Sequence, residues 1–224
     1  MVWFDATVLA RREVAGTVHV ELTVPEVVRA SFQRPGQYLL VKTGEVHGPF
    51  APASAAGETG PLELLFKPGT PLTDALGALQ KGAAVQVSLA AGLGFPLERA
   101  KGKALLLVAS GTGQAPMRSV IESVRRHRAD YGPVTLLLGV RDSEHLAFAA
   151  EQHAWEEAGI ELHVTLSQGS AAWEGRKGRV QLHLPAGDLS GTVAFLVGQR
   201  EMVAEVGAEL ERRGLPRKQI FLNV

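Results

Sequence analysis

The sequence contains no cysteine, and this absence removes several kinds of chemistry. Without thiolates, the chain cannot form disulfides, thiolate zinc sites or cysteine-ligated iron–sulfur clusters. Seven histidines are scattered along the chain, and none falls in a metal-binding pattern such as His-Glu-x-x-His. We therefore expect no metal site.

The sequence also has no excess of positive or negative charge. The 23 Lys and Arg residues balance the 23 Asp and Glu residues, and the two halves of the chain are each close to neutral. This balance argues against nucleic acid as a partner, because following a phosphate backbone requires a basic surface. No apolar run approaches the ~20 residues that span a membrane, and Met1–Asp5 does not begin a signal peptide. We expect a cytoplasmic protein without membrane insertion.

The first 100 residues have the pattern of an all-β domain. Val18–Val24 and Val85–Leu89 alternate apolar and polar residues, as half-buried strands do. Shorter apolar runs lie at Tyr38–Val41 and Leu62–Phe66, and Pro- and Gly-containing turns separate the runs. Several short strands at this spacing predict an antiparallel β-barrel domain over residues 1–100.

After residue 100, buried strands alternate with amphipathic helices. The expected strands are Leu105–Val108, Val134–Val140, Ile160–Leu166, Val193–Val197 and Ile220–Leu222. Helices are expected after Pro116, around Ala147–Ala158 and over Glu201–Arg213. In the first helix, Met117 and Val120 lie on the apolar face and Arg118 lies on the polar face. This alternation predicts an α/β doubly wound parallel-sheet domain over residues 101–224.

A glycine-containing turn, Ser110–Pro116, joins the first strand and helix of this second domain. A diphosphate requires backbone N–H groups at a helix N terminus and no β-carbons in its way, and Gly111 and Gly113 would allow that close approach. Pro116 stands where the usual dinucleotide fingerprint has a third glycine. The alternative is an ordinary tight strand-to-helix turn. We predict that the turn binds a nicotinamide dinucleotide through Gly111, Thr112, Gly113, Gln114 and Pro116.

The Gly-Thr-Gly-x-Ala-Pro pattern of this turn resembles the nicotinamide-binding turn of the ferredoxin–NADP reductase superfamily. Further motifs follow in that family's order over nearly the whole chain: Phe32–Tyr38, Phe66–Thr70, Leu79–Gly82, Gly92–Phe95, Val197–Met202 and Gln219–Val224. The resemblance implies a flavin-dependent oxidoreductase that passes a hydride from NAD(P)H to FAD and electrons on to an unidentified acceptor, for example a protein. The cofactors would do the chemistry, so no side chain is predicted to be catalytic.

The resemblance also implies two sets of cofactor-binding residues. The flavin set is Gly48, Phe50, Ala51, Phe66, Lys67, Gly69, Thr70 and Val224. Beyond the turn, the nicotinamide dinucleotide set is Arg141, Ser167, Gln168, Arg176, Lys177, Arg179, Gly198, Gln199 and Met202. In the family, a Ser-Arg pair and the loop matching Arg176–Arg179 meet the 2′-phosphate of NADP. The pair is Ser167-Gln168 here, and Arg179 stands where the family has a tyrosine. These two departures point in opposite directions, so NADH and NADPH both stay open.

The flavin motif departs from the family pattern. The usual Arg-x-Tyr-Ser or Arg-x-Tyr-Thr is replaced by Gly48-Pro49-Phe50-Ala51, so an arginine that pairs with the flavin phosphate is missing. Phe50 can still stack on the flavin ring, whereas Ala51 lacks a hydroxyl and Val224 stands where an aromatic residue often lies. We expect FAD to be weakly bound or absent. The alternative function is a flavin-depleted relative, either a nucleotide-binding interaction module or an electron-transfer subunit of a larger enzyme.

Overall fold

Two six-stranded sheets follow one another along the chain, in a computed structural model that describes residues 1–14 and 16–223. The first sheet is antiparallel, and the second is parallel and covered by helices. This architecture confirms the expected fold class of an antiparallel β domain followed by an α/β nucleotide-binding domain. A boundary at residue 100 stays a prediction.

The antiparallel sheet has the spatial order β4-β3-β6-β1-β2-β5. Its strands are β1 (Phe4–Val14), β2 (Thr17–Thr23), β3 (Leu39–Thr43), β4 (Val46–Phe50), β5 (Leu62–Phe66) and β6 (Ala84–Val87), with helices α1 (Glu26–Ser31) and α2 (Pro71–Ala78) packed on the same core. Just beyond β4, the N–H of Ala53 donates to the carbonyl of Glu63 on β5 at 2.7 Å. This bond joins the two edge strands of the sheet, which curls towards a barrel.

The parallel sheet has the order β10-β9-β8-β7-β11-β12. Its strands are β7 (Ala104–Ser110), β8 (Val134–Val140), β9 (Ile160–Leu166), β10 (Arg176–Lys177), β11 (Thr192–Val197) and β12 (Ile220–Asn223), and its helices are α3 (Gln114–Arg126), α4 (Gln152–Glu157) and α5 (Arg200–Arg212). The chain leaves β7 towards β8 and returns to β11 on the other side of β7. The strand order therefore reverses between β7 and β11, where doubly wound sheets open a crevice for ligands.

The two domains share a hydrophobic core. Phe95 of the first domain stacks on Phe195 of β11 with ring centroids 4.8 Å apart, and both side chains are buried. Phe221 of β12 meets Phe195 edge to face at 5.7 Å. Asn223 Nδ2 donates to the carbonyl of Gly36 at 2.7 Å. These contacts hold the first domain against β11 and β12 of the parallel sheet, near the carboxyl ends of these two strands.

Among the described residues, no helix has both the length and the apolar character needed to cross a membrane. The same residues contain no group of three His, Asp or Glu side chains arranged to hold a metal ion.

Candidate functional site

A cleft of about 870 Å³ lies between the two domains, at the point where the strand order of the parallel sheet reverses. The first domain lines it with residues that include Pro49, Phe50, Ala51, Phe66, Lys67 and Thr73. The second domain lines it with residues 110–116, 139–141, 178–181 and 197–199, together with His145, Ser167, Glu201, Met202 and Asn223. The cleft therefore brings residues from both predicted cofactor sets together.

The predicted dinucleotide turn forms one wall of this cleft. Residues 111–113 make a 3-10 turn that runs directly into α3. Gly111 has a φ of +56°, and a β-carbon built on it would point into open space. The first N–H groups of a helix lack partners inside the helix and carry its positive dipole end. The donor set and the open space at Gly111 fit a diphosphate.

Gly113 has a different structural role from the one expected. A β-carbon on this buried residue would lie 2.8 Å from the carbonyl oxygen of Val197 and 3.1 Å from the Cα of Gly198. A β-carbon on Gly198 would in turn lie 2.8 Å from the carbonyl oxygen of Ser110. The missing side chain of Gly113 therefore makes room for protein backbone, and the turns after β7 and β11 touch through their glycines.

Gln114 is buried and braces the turn against the loop that follows β8. Its Nε2 donates to the carbonyls of Gly111 at 2.9 Å and His145 at 3.0 Å. Its Oε1 accepts from the N–H of Ala147 at 3.1 Å. Each polar atom of this amide thus has a protein partner, and Gln114 acts by holding the turn in shape.

Sequence reasoning missed His145, which lines the cleft beside the turn. Its Nδ1 is 2.7 Å from Oδ1 of Asp142, and this hydrogen bond holds the pKa of the Asp142 carboxyl below its ordinary value. A lone histidine carries no signal in the sequence. Its position a few residues after the end of β8 is the one feature that could have suggested a place in the cleft.

The residues predicted for the dinucleotide between Arg141 and Arg179 divide into two groups, one in the cleft lining and one outside it. Arg141, Ser167 and Arg179 line the cleft, and Arg141 Nε donates to Oε1 of Gln168 at 2.7 Å. Arg176 and Lys177 form β10 and lie outside the cleft lining. Gln168 also lies outside it, although it holds the guanidinium of Arg141.

The opposite wall carries the aromatic residues predicted for the flavin. The ring of Phe50 meets that of Phe66 edge to face with centroids 5.5 Å apart, and both side chains line the cleft with Ala51 and Lys67. This surface fits a flat, largely apolar ring system. Val224, the last residue of the predicted flavin set, lies outside the described residues.

Gly48 stands where the family has its phosphate-binding arginine, and Gly69 and Thr70 belong to the same predicted flavin set. The surroundings of these three residues differ from those of an open phosphate site. Gly48 lies outside the cleft lining, and a β-carbon on it would be 2.8 Å from Cδ2 of Leu72 on α2. The N–H of Gly69 donates to Oδ1 of Asp74 at 2.8 Å. Thr70 caps α2 by accepting from the N–H of Thr73 at 3.2 Å. The donors around Gly69 and Thr70 are therefore used within the protein, and of these residues Thr73 faces the cleft.

At the carboxyl end of β11, the turn 197–199 forms the floor of the cleft between the two walls. The N–H of Gln199 donates to Oγ of Ser110 at 3.2 Å, which ties this turn to the dinucleotide turn. Met202 and the unpredicted Glu201 follow on the first turn of α5 and also line the cleft.

The fold and the cleft together define a class of two-domain proteins. An antiparallel β domain with an aromatic wall faces a doubly wound domain that presents a glycine turn at its strand-order reversal.

Comparison with known proteins agrees with this class. Residues 107–207 match the family model of the oxidoreductase NAD-binding domain. Sulfhydrogenase 1 subunit gamma of Pyrococcus furiosus is 28% identical over 208 residues, covering 89% of this chain and 70% of that protein. Ferredoxin–NADP reductase B of Sorangium cellulosum is 34% identical over 131 residues, which cover 53% of this chain and 52% of that protein.

A solved structure shares the whole fold. The ferredoxin NADP+ reductase of Neisseria gonorrhoeae, determined with bound FAD and NADP, superimposes with a TM-score of 0.82 at 20% identity, covering 98% of this chain and 97% of that one. The second half of the chain therefore contains an oxidoreductase NAD-binding domain, and the chain as a whole has the two-domain fold of that ferredoxin NADP+ reductase.

Proposed function

We propose that the chain is a flavin-dependent oxidoreductase that takes a hydride from NAD(P)H and passes electrons on to an acceptor. The observation that carries this proposal is the single continuous cleft that Phe50 lines from one domain and Gly111 from the other. Two ligands held on these walls would be in reach of each other, which is the main requirement for hydride transfer between cofactors.

The chain's own residues would bind and orient the cofactors. Phe50 and Phe66 would hold the flavin ring by aromatic contact, and Lys67 would supply a positive charge beside it. The N terminus of α3 would bind the diphosphate of the nicotinamide dinucleotide through its backbone N–H groups. A bound flavin supplies the redox chemistry that no side chain of the cleft provides.

The acceptor stays unidentified. One relative is named as a subunit of a hydrogenase and another as a ferredoxin reductase, so a protein acceptor is part of this proposal. The same names support an electron-transfer subunit of a larger enzyme as a second candidate. A cytoplasmic location is also part of the proposal.

Titration of the purified protein with FAD, followed by quenching of flavin fluorescence, tests the proposal. We expect saturable FAD binding, and reduction of an artificial dye that requires both FAD and NAD(P)H. Phe50→Leu should weaken FAD binding by about two- to ten-fold, because it removes an aromatic contact worth roughly 0.5–1.5 kcal/mol beyond area burial. Protein that binds NAD(P)H but no FAD above micromolar concentrations would favour the interaction module instead.

The arginines of the cleft lead to a prediction on nucleotide choice. Arg179→Gln and Arg141→Gln should each weaken NADPH binding by about ten- to one-hundred-fold and leave NADH binding nearly unchanged, because a hydrogen bond to a charged group contributes roughly 1.5–3 kcal/mol. Isothermal titration with each nucleotide measures this difference. Lys218→Gln is the matched control, since Lys218 is exposed, lies outside the cleft lining and belongs to neither predicted cofactor set. Equal losses for both nucleotides, or equal effects in the control, would refute a 2′-phosphate contact.

A further inference from the structure

The polar face of α3 carries an arginine that reaches across to the first domain. Arg118 Nε donates to Oε2 of Glu151 in its own domain at 2.7 Å. Its Nη1 donates to the carbonyl of Ala53 at 3.0 Å and lies 3.3 Å from Oε2 of Glu63, both in the first domain. The side chain of Arg118 is 15% exposed, so the sequence pattern that predicted a polar outer face missed a contact between domains.

The contact continues into the first domain as a chain of hydrogen bonds. Nε2 of His19 lies 3.1 Å from the same Oε2 of Glu63, and Nδ1 of His19 accepts from Arg12 Nε at 2.8 Å. Because arginine can only donate, Nδ1 is an acceptor and Nε2–H donates to Glu63. His19 is 2% exposed. At the other end of the chain of hydrogen bonds, Cζ of Arg118 lies 5.1 Å from the centroid of the Phe148 ring. His19 and Arg118 are therefore each held in one orientation.

Both ends of the Arg118 contact are attached to walls of the cleft. Ala53 lies two residues beyond Ala51, on the segment that follows the cleft wall formed by Phe50 and Ala51. Arg118 lies one helical turn beyond Gln114, which holds the dinucleotide turn. The hydrogen bond from Arg118 to the carbonyl of Ala53 thus joins the backbone of one wall to the helix that carries the other.

A second ion pair between the domains differs in its surroundings. Arg126 at the end of α3 pairs with Glu58, but these side chains are 40% and 44% exposed. Exposed pairs hold geometry weakly because water and salt compete for both charges. The guanidinium of Arg118 is shielded from water and contacts Glu151, Ala53 and Glu63. Because it is planar, these contacts fix the relative orientation of the two domains as well as their distance.

We propose that Arg118 is a positioning residue that fixes the separation of the two cleft walls and thereby sets the rate of hydride transfer without contacting either cofactor. The kinetic part of this inference rests on the function proposed above. The positional part concerns the protein alone and can be tested without any cofactor.

The absence of cysteine from the natural sequence makes a direct distance measurement possible. Spin labels attached through Glu45→Cys and Ala208→Cys, both exposed and one in each domain, report the separation of the domains by pulsed electron paramagnetic resonance. We expect one narrow distance distribution in the labelled parent and a broader or shifted one after Arg118→Gln. Arg212→Gln removes an exposed arginine that pairs with Glu209 on its own helix and should change nothing. An unchanged distribution in Arg118→Gln would overturn the proposal.

Removing Arg118 alone leaves Glu63 without its cationic partner. If Arg118→Gln fails to fold, the double variant Arg118→Met and Glu63→Gln removes both charges at similar volume, and the same broadening is expected from it. A distribution as narrow as the parent's in the double variant would equally overturn the proposal.

Stopped-flow mixing of the FAD-loaded protein with NADPH tests the kinetic part. Hydride transfer in Arg118→Gln should be about ten- to one-hundred-fold slower, because displacement of reacting groups by about 1 Å costs rates of this order. Dissociation constants for both cofactors should stay within about two-fold, and Arg118→Lys should restore part of the rate by keeping one charged contact. An unchanged rate would refute the kinetic part. A parent protein that binds neither cofactor would contradict the proposed function instead, while the label distances would still decide the role of Arg118.

Discussion

Gly113→Ala is expected to destabilise the nucleotide-binding domain by about 1–3 kcal/mol, the usual cost of overpacking, and to abolish most nicotinamide dinucleotide binding. The added β-carbon would lie 2.8 Å from the carbonyl oxygen of Val197, and this neighbour is backbone and not the end of a flexible side chain. The dinucleotide turn and the turn after β11 would therefore separate. Calorimetric unfolding and titration with NADPH measure the two effects, and Gly113→Val should increase both.

Gly191→Ala provides the matched control for this variant. A β-carbon at Gly191, just before β11, would meet no other atom within 4 Å, and its φ lies in the ordinary range for L-residues. We expect the free energy of unfolding of the Gly191→Ala variant to differ from that of the natural chain by less than about 0.5 kcal/mol, as at other surface positions. If Gly113→Ala behaved like this control, the close contact between the two turns would not contribute to the site.

Gly48→Arg is expected to tighten FAD binding by about ten-fold. A charge-assisted hydrogen bond contributes roughly 1.5–3 kcal/mol, which corresponds to about one to two decades of affinity. The gain should fall at the lower end, because a β-carbon at Gly48 would lie 2.8 Å from Cδ2 of Leu72 and that side chain must move. The double variant Gly48→Arg and Leu72→Ala relieves this contact. Quenching of flavin fluorescence gives the dissociation constants of all forms.

Gly48→Met is the control, because it introduces the same contact with Leu72 without a guanidinium. We expect it to bind FAD no more tightly than the natural chain. If the arginine and methionine variants had equal affinities, the loss of the family's arginine would not explain the strength of FAD binding here. Tight FAD binding by the natural chain would show that other groups hold the phosphate.

The doubly wound domain was predictable because strand-like apolar segments alternate with amphipathic helices along the sequence. The predicted bounds of Val134–Val140 and Ile160–Leu166 agree with β8 and β9 at both ends. In contrast, β1 was missed although it is the longest strand, with 11 residues. A shift in register between Val8 and Ala10 interrupts its alternation of apolar and polar residues, so the period-two signal is lost.

The lining of the cleft was predictable where motif and local structure coincide, as at the Gly111–Gly113 turn. Contacts between distant segments had no local signal. Helical periodicity correctly placed Arg118 away from the apolar face of α3, but it contains no information on whether another domain covers that side. Gln114 was predicted to bind the dinucleotide, and its bonds to Gly111 and His145 appear only once the loop after β8 is in place.

If the two walls of the cleft hold a flavin and a nicotinamide in reach of each other, NAD(P)H must reduce the bound flavin within the protein. Anaerobic mixing of the FAD-loaded protein with NADPH or NADH, followed at the flavin absorbance bands, measures this step. We expect a single-turnover loss of flavin absorbance whose rate saturates with nucleotide and falls when the transferred hydrogen is replaced by deuterium. Protein with FAD and nucleotide both bound, but with flavin absorbance unchanged, would contradict it.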